Sequence, residues 1–145
     1  MSASVSSARI VASARSWIGT PYHHQACLKG VGVDCLGLVR GVWREIYGCD
    51  AETPPAYSPD WAEADQTERM LAAAKRHLIE VAAGAQVPGD VVIFRLKRGV
   101  VAKHAAILSG PGIMIHAMEG VPVSEVVMSS WWQRRVAAVF RFPGA

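Results

Sequence analysis

The sequence predicts a single α+β domain, in which N-terminal helices pack on a C-terminal antiparallel β-sheet. The chain has 145 residues, of which 51% are hydrophobic, and is therefore long enough to bury one sizeable core. Apolar residues recur at helical spacing in the first part of the chain, up to about residue 84. Short β-type runs separated by turn residues fill the remainder, and this lack of helix–strand alternation favours an antiparallel sheet.

Two helices are predicted ahead of the sheet. Residues 4–18 have the apolar spacing of an amphipathic helix, which Gly19 is expected to end. After a loop without periodicity, residues 35–47 return to helical spacing, and Gly48 is well placed as the C-terminal stop. The apolar stripe of this second helix consists of Leu36, Val39, Trp43 and Ile46, widened by Leu38 and Val42.

A helical insertion is predicted at about residues 58–84, after the proline-rich connector "AETPPAYSPD". Its alanine-rich pattern keeps four apolar residues in helical register, namely Leu71, Ala74, Leu78 and Val81. Residues 1–145 are therefore expected to form one domain, with this insertion between the first helices and the sheet.

Five strands are predicted from the runs "DVVIF", "VVAKHAAIL", "GIMIHAM", "VPVSEVV" and "VAAVFRF". The turn residues Ser109-Gly110-Pro111 between the second and third runs predict a hairpin. A three-residue loop centred on Gly110 would set His104 directly opposite His116, on one face of the sheet. That face would also carry Ala106, Leu108, Met114 and Met118.

Composition argues against several classes of protein. The net charge of +3 and the pI near 9.0 reflect a basic excess that is too small and too dispersed to indicate nucleic-acid binding. No stretch approaches the length of a membrane span, and the N-terminus lacks the apolar core of a signal peptide, so folding in the cytoplasm is expected. Three cysteines without a CxxC pair argue against a disulfide framework and fit a reducing compartment.

The pair Asp34-Cys35 stands where the second helix begins, a position that suits a nucleophile. Asp34 is a good N-cap residue, so Cys35 falls in the first turn, under unpaired backbone N–H groups that favour a thiolate. The Asp34 carboxylate opposes the same ionisation, which makes a histidine partner necessary. Gly37 and Gly41 share one helical face, and glycine in a helix interior lowers helix stability relative to alanine. Their presence therefore predicts the close approach of another backbone, such as a strand carrying a catalytic group.

Two histidines on one sheet face, together with a cysteine at a helix start, match the layout of a thiol hydrolase. His104 follows a charged residue at the start of its strand, which makes it the more accessible candidate for the base. The pattern alone does not settle which of His104 and His116 has that role. Each histidine taken singly would be interpreted as structural, and it is their pairing with Cys35 that favours catalysis.

Two other interpretations stay open at this stage. Four residues of zinc-ligand type lie close together in the sequence, but their spacing fits none of the common zinc-finger or ribbon patterns: His23, His24, Cys27 and Cys35. Trp131-Trp132 could form a binding platform, although anchoring of the last strand is the favoured role.

Five motifs resemble those of the NlpC family of bacterial cell-wall cysteine peptidases, which are relatives of papain in fold. In chain order they are "GTPY", "DCLGLV", "PGDVVIF", "KHAAIL" and "GIMIHA", and they run from about Trp17 to His116. Their shared order and spacing make the resemblance far more specific than any one motif. The resemblance implies a papain-like fold with the nucleophile at a helix N-terminus.

Matched residue by residue, the resemblance implies that Cys35 is the nucleophile, His104 the base and His116 the polar residue that orients His104. It also implies two substrate-binding residues. Tyr22 matches a family tyrosine whose hydroxyl lies beside the nucleophile, and Asp34 matches an acid that lines the substrate pocket.

The activity implied is hydrolysis of the amide between D-glutamate and a diamino acid in peptidoglycan stem peptides, with no metal or other cofactor. Leu36 departs from the family pattern, in which a serine after the cysteine commonly helps to bind the amino end of the stem peptide. The segments "DWAEADQTERMLAAAKRHLIEV" and "WWQRRVAAVFRFP" are similar to a branch encoded with tail genes of phages or phage-like gene transfer particles. That branch implies tail proteins as partners. Neither nucleic acid nor a membrane is expected as a partner, because of the small, dispersed charge and the lack of a span-length apolar stretch.

Two alternatives to hydrolysis keep the same fold. The chain could be a non-catalytic subunit for tail assembly or cell-wall binding, although such a subunit has no physical reason to keep all three of Cys35, His104 and His116. It could also be a thiol acyltransferase that passes the acyl group to an amine or a lipid instead of water.

Overall fold

A computed structural model describes residues 4–52 and 68–145 of the chain. Its helices are α1 (Ser7–Arg15), α2 (Cys35–Tyr47), α3 (Arg69–His77) and the short α4 (Ser130–Gln133). A small ribbon is formed by β1 (Cys27–Leu28) and β2 (Gly32–Val33). The longer sheet contains β3 (Ile79–Val81), β4 (Val91–Phe94), β5 (His104–Gly110), β6 (Ile113–Met118), β7 (Val121–Val127) and β8 (Val136–Arg141). Within the two described ranges, no helix is both long and apolar enough to cross a membrane.

The six strands of the longer sheet are antiparallel, in the order β3-β8-β4-β5-β6-β7. Helices α1, α2 and α3 pack on one face, where they enclose the main core with alternate side chains of the strands. A smaller apolar cluster lies on the opposite face, formed by Val92, Phe94, Ala106, Leu108, Met114 and Met128. The predicted α+β class, with helices packed on an antiparallel sheet, is confirmed.

The second predicted helix is confirmed as α2, and its two ends are closed as the sequence indicates. The Asp34 carboxylate accepts a hydrogen bond from the Gly37 amide at 2.7 Å, which is the contact expected of an N-cap aspartate. Gly48 follows the last turn in the left-handed region, with a φ of 80°. The cap makes Cys35 the first residue of the helix.

Gly37 and Gly41 are explained by close contacts against α2. A Cβ atom on Gly37 would lie 2.2 Å from the carbonyl oxygen of Ala26, and one on Gly41 would lie 2.2 Å from the Trp17 indole. The predicted approach of another backbone is therefore confirmed at Gly37, where the partner is a loop and not a catalytic strand. The prediction is wrong at Gly41, because a side chain packs there.

The loop predicted between the first two helices contains the β1–β2 ribbon. Tyr22 bridges in parallel to Val33 of β2. The Val123 amide of β7 donates to the Thr20 carbonyl at 2.9 Å. These contacts tie the segment that carries Tyr22 both to the start of α2 and to the edge of the sheet.

The predicted insertion is only partly helical where the structure describes it. Helix α3 ends at His77, Leu78 is extended with φ −111° and ψ 167°, and Ile79–Val81 pairs with β8 as an edge strand. The helical register predicted through Val81 is therefore wrong, because tertiary pairing with β8 outweighs a weak local preference. Residues 58–67 of the predicted insertion lie outside the described residues.

The register of the β5–β6 hairpin also differs from the prediction. Leu108 faces Met114 and Ile107 faces Ile115, a shift of two residues that leaves His104 diagonal to His116. The cause is a bulge before Gly110, which pairs with Ile113 across a tight turn. A shift of two residues keeps side chains on the same face, so the shared face of the histidines survives.

Candidate active site

Cys35 begins α2, and its thiol reaches the start of β5. The Sγ–H group donates to the Lys103 carbonyl at 3.6 Å. The backbone N–H groups of Ala105, Leu36 and Cys35 itself point to the sulfur and favour its thiolate form. Since Lys103 and Ala105 flank His104 in the chain, the structure brings the predicted nucleophile to the strand of the predicted base.

The sulfur occupies the place where β5 and β6 separate. Pairing between these strands begins at Ile107, beyond the first residues of β5. The Leu108 amide points towards β4, because it donates to the carbonyl of Asp90, just before that strand, at 2.8 Å. Backbone amides alternate in direction along a strand, so the Ala105 amide, three residues earlier, points to the β6 side. The Cys35 sulfur receives this amide at the fork between the two strands.

His104 and His116 contact each other, as their shared sheet face predicts. Nε2 of His104 lies 2.9 Å from Nδ1 of His116, and the two rings meet nearly edge to face at 81°. Each residue is only 6% exposed. Because Nε2 of His104 is engaged in this way, Nδ1 is the nitrogen left to exchange a proton with a thiol.

Trp132 of α4 lies against the histidine pair, a position that the sequence does not predict. Its ring stacks on His104 with 5.2 Å between centroids, and it meets His116 edge to face at 5.4 Å. Phe94 of β4 completes the aromatic contacts, at 5.9 Å from the His104 centroid. Neither the platform nor the strand anchor predicted for the Trp131-Trp132 pair describes this contact, and no spacing signal links residues so far apart in the chain.

Burial dominates the proton affinities of the site. It raises the pKa of the Cys35 thiol to about 12, and the Asp34 carboxylate acts in the same direction, as the sequence predicts. Burial also lowers the pKa of His104 to about 3, with a further contribution from His116, and it lowers the pKa of His116 itself. At neutral pH these shifts leave the Cys35 thiol and both imidazoles uncharged.

Asp34 is buried, and protein groups engage both of its carboxylate oxygens. Oδ1 accepts from the Gly37 amide, and Oδ2 accepts from the Gln25 amide at 2.9 Å. Nδ1 of His24 lies 4.0 Å from Oδ2. Asp34 therefore clamps the loop before α2 to the helix start, and its substrate-binding role stays a prediction.

Tyr22 lies in the electrostatic surroundings of the nucleophile. Burial raises the pKa of its hydroxyl to about 12, and three nearby groups act in the same direction when ionised, namely Cys35, Asp34 and Glu119. A hydroxyl that stays protonated in this place can donate a hydrogen bond to a substrate carbonyl. Its role in substrate binding likewise stays a prediction.

Comparison with known proteins identifies the family. The NlpC/P60 family profile matches residues 19–141, which is most of the chain. The chain belongs to the NlpC/P60 family. It is also 29% identical, over 136 residues, to the Gamma-DL-glutamyl hydrolase of Bacillus subtilis (strain 168). The matched region is 92% of this chain and 29% of that hydrolase, so the chain spans less than a third of the relative's length.

Solved NlpC/P60 structures share the fold of this chain. The NlpC/P60 domain of the peptidoglycan hydrolase SagA superposes with a TM-score of 0.70 at 22% identity, covering 95% of this chain and 100% of that one. An NlpC/P60 protein from Bacillus cereus ATCC 10987 gives 0.70 at 19% identity, with 97% and 41% covered. NlpC1 from Trichomonas vaginalis gives 0.68 at 17% identity, with 94% and 44% covered. These likenesses establish the papain-like fold that the motifs imply.

The alternative zinc site is not assembled in this NlpC/P60 domain. Among residues 4–52 and 68–145, no group of three or more histidine, cysteine or acidic residues could hold a metal ion. Cys27 has a packing role instead, because its thiol donates to the Gly37 carbonyl at 3.1 Å and accepts from Nη2 of Arg44 at 3.6 Å.

Proposed function

We propose that this chain is a cysteine hydrolase that cleaves the amide between D-glutamate and a diamino acid in peptidoglycan stem peptides. The observation that carries the proposal is the contact of the Cys35 thiol with the backbone on either side of His104, whose ring in turn contacts the ring of His116. Family membership and the glutamyl hydrolase named for the Bacillus subtilis relative support the type of bond.

The first half of the reaction forms a thioester. Nδ1 of His104 takes the proton from Sγ of Cys35 as the sulfur attacks the amide carbonyl carbon. For Nδ1 to accept this proton, neutral His104 must carry its own proton on Nε2, which then donates to Nδ1 of His116. The His104 proton passes to the departing amine, and the D-glutamyl acyl group remains on sulfur.

The developing oxyanion needs backbone donors, and the start of α2 has them. The Gly37 and Leu38 amides are committed to Asp34, through its carboxylate and its carbonyl respectively. The amides of Cys35 and Leu36 are directed instead towards the sulfur, where the tetrahedral intermediate forms.

Water then attacks the thioester with His104 as base, which releases the D-glutamyl carboxylate and restores the thiol.

Substrate recognition is proposed to involve Tyr22 and Asp34, on the helix-start side of the sulfur. With Leu36 in place of a polar residue, the region after the nucleophile offers apolar contact where serine would offer a hydrogen bond. We therefore expect weaker discrimination for a free amino end of the stem peptide than a serine at this position would give.

The test is product analysis of a synthetic stem tripeptide, L-Ala-γ-D-Glu-diaminopimelate, by mass spectrometry. Wild type should release the free diamino acid and the L-Ala-D-Glu dipeptide. Cys35→Ser should lose at least about a hundredfold in rate while keeping its circular dichroism spectrum, because the hydroxyl is a much poorer nucleophile. Cys49→Ser, at an exposed cysteine, is the matched control and should retain full activity.

Two outcomes would contradict this function. Undiminished cleavage by Cys35→Ser would remove the thiol from the reaction. A dipeptide recovered on an added amine or lipid instead of as the free acid would assign the chain to acyl transfer.

We also propose that the hydrolase is made in the cytoplasm and acts from a phage-like particle together with tail proteins. The supporting feature is the similarity of "DWAEADQTERMLAAAKRHLIEV" and "WWQRRVAAVFRFP" to the tail-associated branch. Peptide mass spectrometry of purified particles from the source organism should detect the chain alongside tail proteins. Its recovery only from the soluble cell extract would contradict this association.

A further inference from the structure

The contacts of Trp132 cover the bond on which the proposed reaction depends. The indole is nearly parallel to the His104 ring, at 29°, and perpendicular to the His116 ring, at 89°. One indole therefore touches both imidazoles that share the Nε2–Nδ1 contact. Phe94, at 4.9 Å from Trp132, extends the apolar cover along β4.

A hydrogen bond from Gln133 anchors the segment that carries Trp132. Nε2 of Gln133 donates to the Met128 carbonyl at 2.9 Å, which anchors α4 to the end of β7. Trp131 packs edge to face on Trp132 at 4.9 Å, and the Arg135 guanidinium stacks on Trp131 at 3.7 Å. Trp131 itself is 42% exposed, so the two neighbouring tryptophans have different surroundings.

A bond between two imidazoles needs more shielding than a bond to a carboxylate. Neutral hydrogen bonds are roughly half as strong as those to an ionised partner, and water competes for both nitrogens where it has access. If water replaced His116, the His104 ring could rotate, and Nδ1 would no longer be held towards the Cys35 thiol as the proposed reaction requires. An aromatic cover opposes both events, since it excludes water and restricts the ring plane.

We propose that Trp132 is a positioning residue of the reaction, whose indole keeps the His104–His116 hydrogen bond dry and so holds Nδ1 of His104 towards Cys35. The inference rests on the proposed function, in which His104 is the base. Trp132 acts through His104, so its loss should affect the chemical step more than substrate binding.

The kinetic test compares Trp132→Ala, Trp132→Phe and the control Trp131→Ala on the stem tripeptide. Misplacement of a reacting group by about 1 Å can cost on the order of a hundredfold in rate. Trp132→Ala should therefore lower kcat by about ten- to a hundredfold with KM nearly unchanged. Trp132→Phe, which keeps a flat ring, should recover most of kcat, and Trp131→Ala should stay within about threefold of wild type. If Trp132→Ala does not fold, Trp132→Leu replaces it.

A spectroscopic test reports on the hydrogen bond without requiring turnover. Proton NMR in water should show a downfield imidazole N–H signal that exchanges slowly in wild type and disappears in His116→Leu. Trp132→Ala should broaden or remove this signal, whereas Trp131→Ala should preserve it. Failure of wild type to hydrolyse the tripeptide would refute the proposed function alone, because the NMR comparison still decides the role of Trp132. An unchanged signal and unchanged kcat in Trp132→Ala, or an equal loss in Trp131→Ala, would overturn the inference.

Discussion

At the scale of single residues, the group proposed to orient the base is a second imidazole and not a carboxylate. In the proposed reaction, Nδ1 of His116 accepts a hydrogen bond from the Nε2–H group of His104, and both rings are buried. A neutral acceptor fixes the tautomer of His104 but gives less support to an imidazolium than a negative charge would. This explains why burial can keep the pKa of His104 far below its ordinary value.

Replacing His116 tests the orienting role. His116→Asn keeps an acceptor oxygen and should retain a substantial fraction of kcat. His116→Leu removes the acceptor and should lower kcat by roughly ten- to a hundredfold, because His104 would then act less well as an acid–base catalyst. Steady-state kinetics on the stem tripeptide would measure both. Equal activity of His116→Leu and wild type would show that His104 needs no partner at Nε2.

At the scale of elements, the start of α2 is fixed by contacts on two sides. The cap from Asp34 closes the first turn, and the Ala26 carbonyl packs so closely that a Cβ on Gly37 would lie 2.2 Å away. The position of the Cys35 sulfur, where β5 and β6 separate, therefore depends on these two contacts.

Gly37→Ala should lower the free energy of unfolding by about 1–3 kcal/mol, as expected for overpacking. In an open helix the same change would raise stability by about 1 kcal/mol, so the sign alone is informative. Urea unfolding measures the difference. Gly41→Ala is the matched control, because a Cβ at that position would clash with the Trp17 ring. The loss of unfolding free energy caused by Gly41→Ala should shrink in a Trp17→Leu background. The loss caused by Gly37→Ala should stay the same in that background. A higher free energy of unfolding in Gly37→Ala would contradict the close contact between Gly37 and the Ala26 carbonyl.

Local signals in the sequence determine how much of these elements could be predicted. The bounds of α2 follow from Asp34, the apolar stripe and Gly48, which all act within the helix. Strand β3 could not be predicted in the same way, because only pairing with β8 makes Ile79–Val81 extended. The predicted hairpin register is wrong for a similar reason. Turn residues indicate a hairpin, but the bulge beside Gly110 depends on how the two strands pair.

The candidate site was predictable to the extent that it follows from helix starts and strand faces. Cys35 is at a helix start, and parity puts His104 and His116 on one face, so the contact between the two histidines could be expected. The approach of Cys35 to the backbone beside His104 depends on how α2 packs on the sheet. The contact of Trp132 with both histidines depends on where α4 packs, and no pattern in the sequence carries that information.

At the scale of the whole molecule, the sheet separates two environments. One face supports the helical core, whereas the opposite face carries the histidines and the smaller apolar cluster. Cys35, the proposed nucleophile, comes from the helical side, and its thiol contacts the Lys103 carbonyl just before the strand that carries His104. Burying two neutral imidazoles in this position ties the stability of the fold to pH.

Stability should decline as the pH falls below about 6.5. The unfolded chain protonates His104 near its ordinary pKa of 6.5, whereas the folded state resists protonation down to a pKa of about 3. Between these values the unfolded state binds more protons, so the free energy of unfolding falls with decreasing pH, by up to roughly 1.4 kcal/mol per pH unit. Urea unfolding from pH 7 to pH 5 would show this slope. It should flatten in His104→Leu and persist in the control His23→Gln, and an identical slope in His104→Leu would contradict the assignment.

The identity of the nucleophile is tested most directly by acid quenching of the enzyme during turnover of the stem tripeptide, followed by intact-mass measurement and peptide mapping. Wild type should carry a dipeptidyl adduct in thioester linkage on Cys35, and Cys35→Ser should lack both the adduct and the activity. Continued hydrolysis by Cys35→Ser, or an adduct on Cys27 or Cys49 instead, would contradict the claim that Cys35 is the nucleophile.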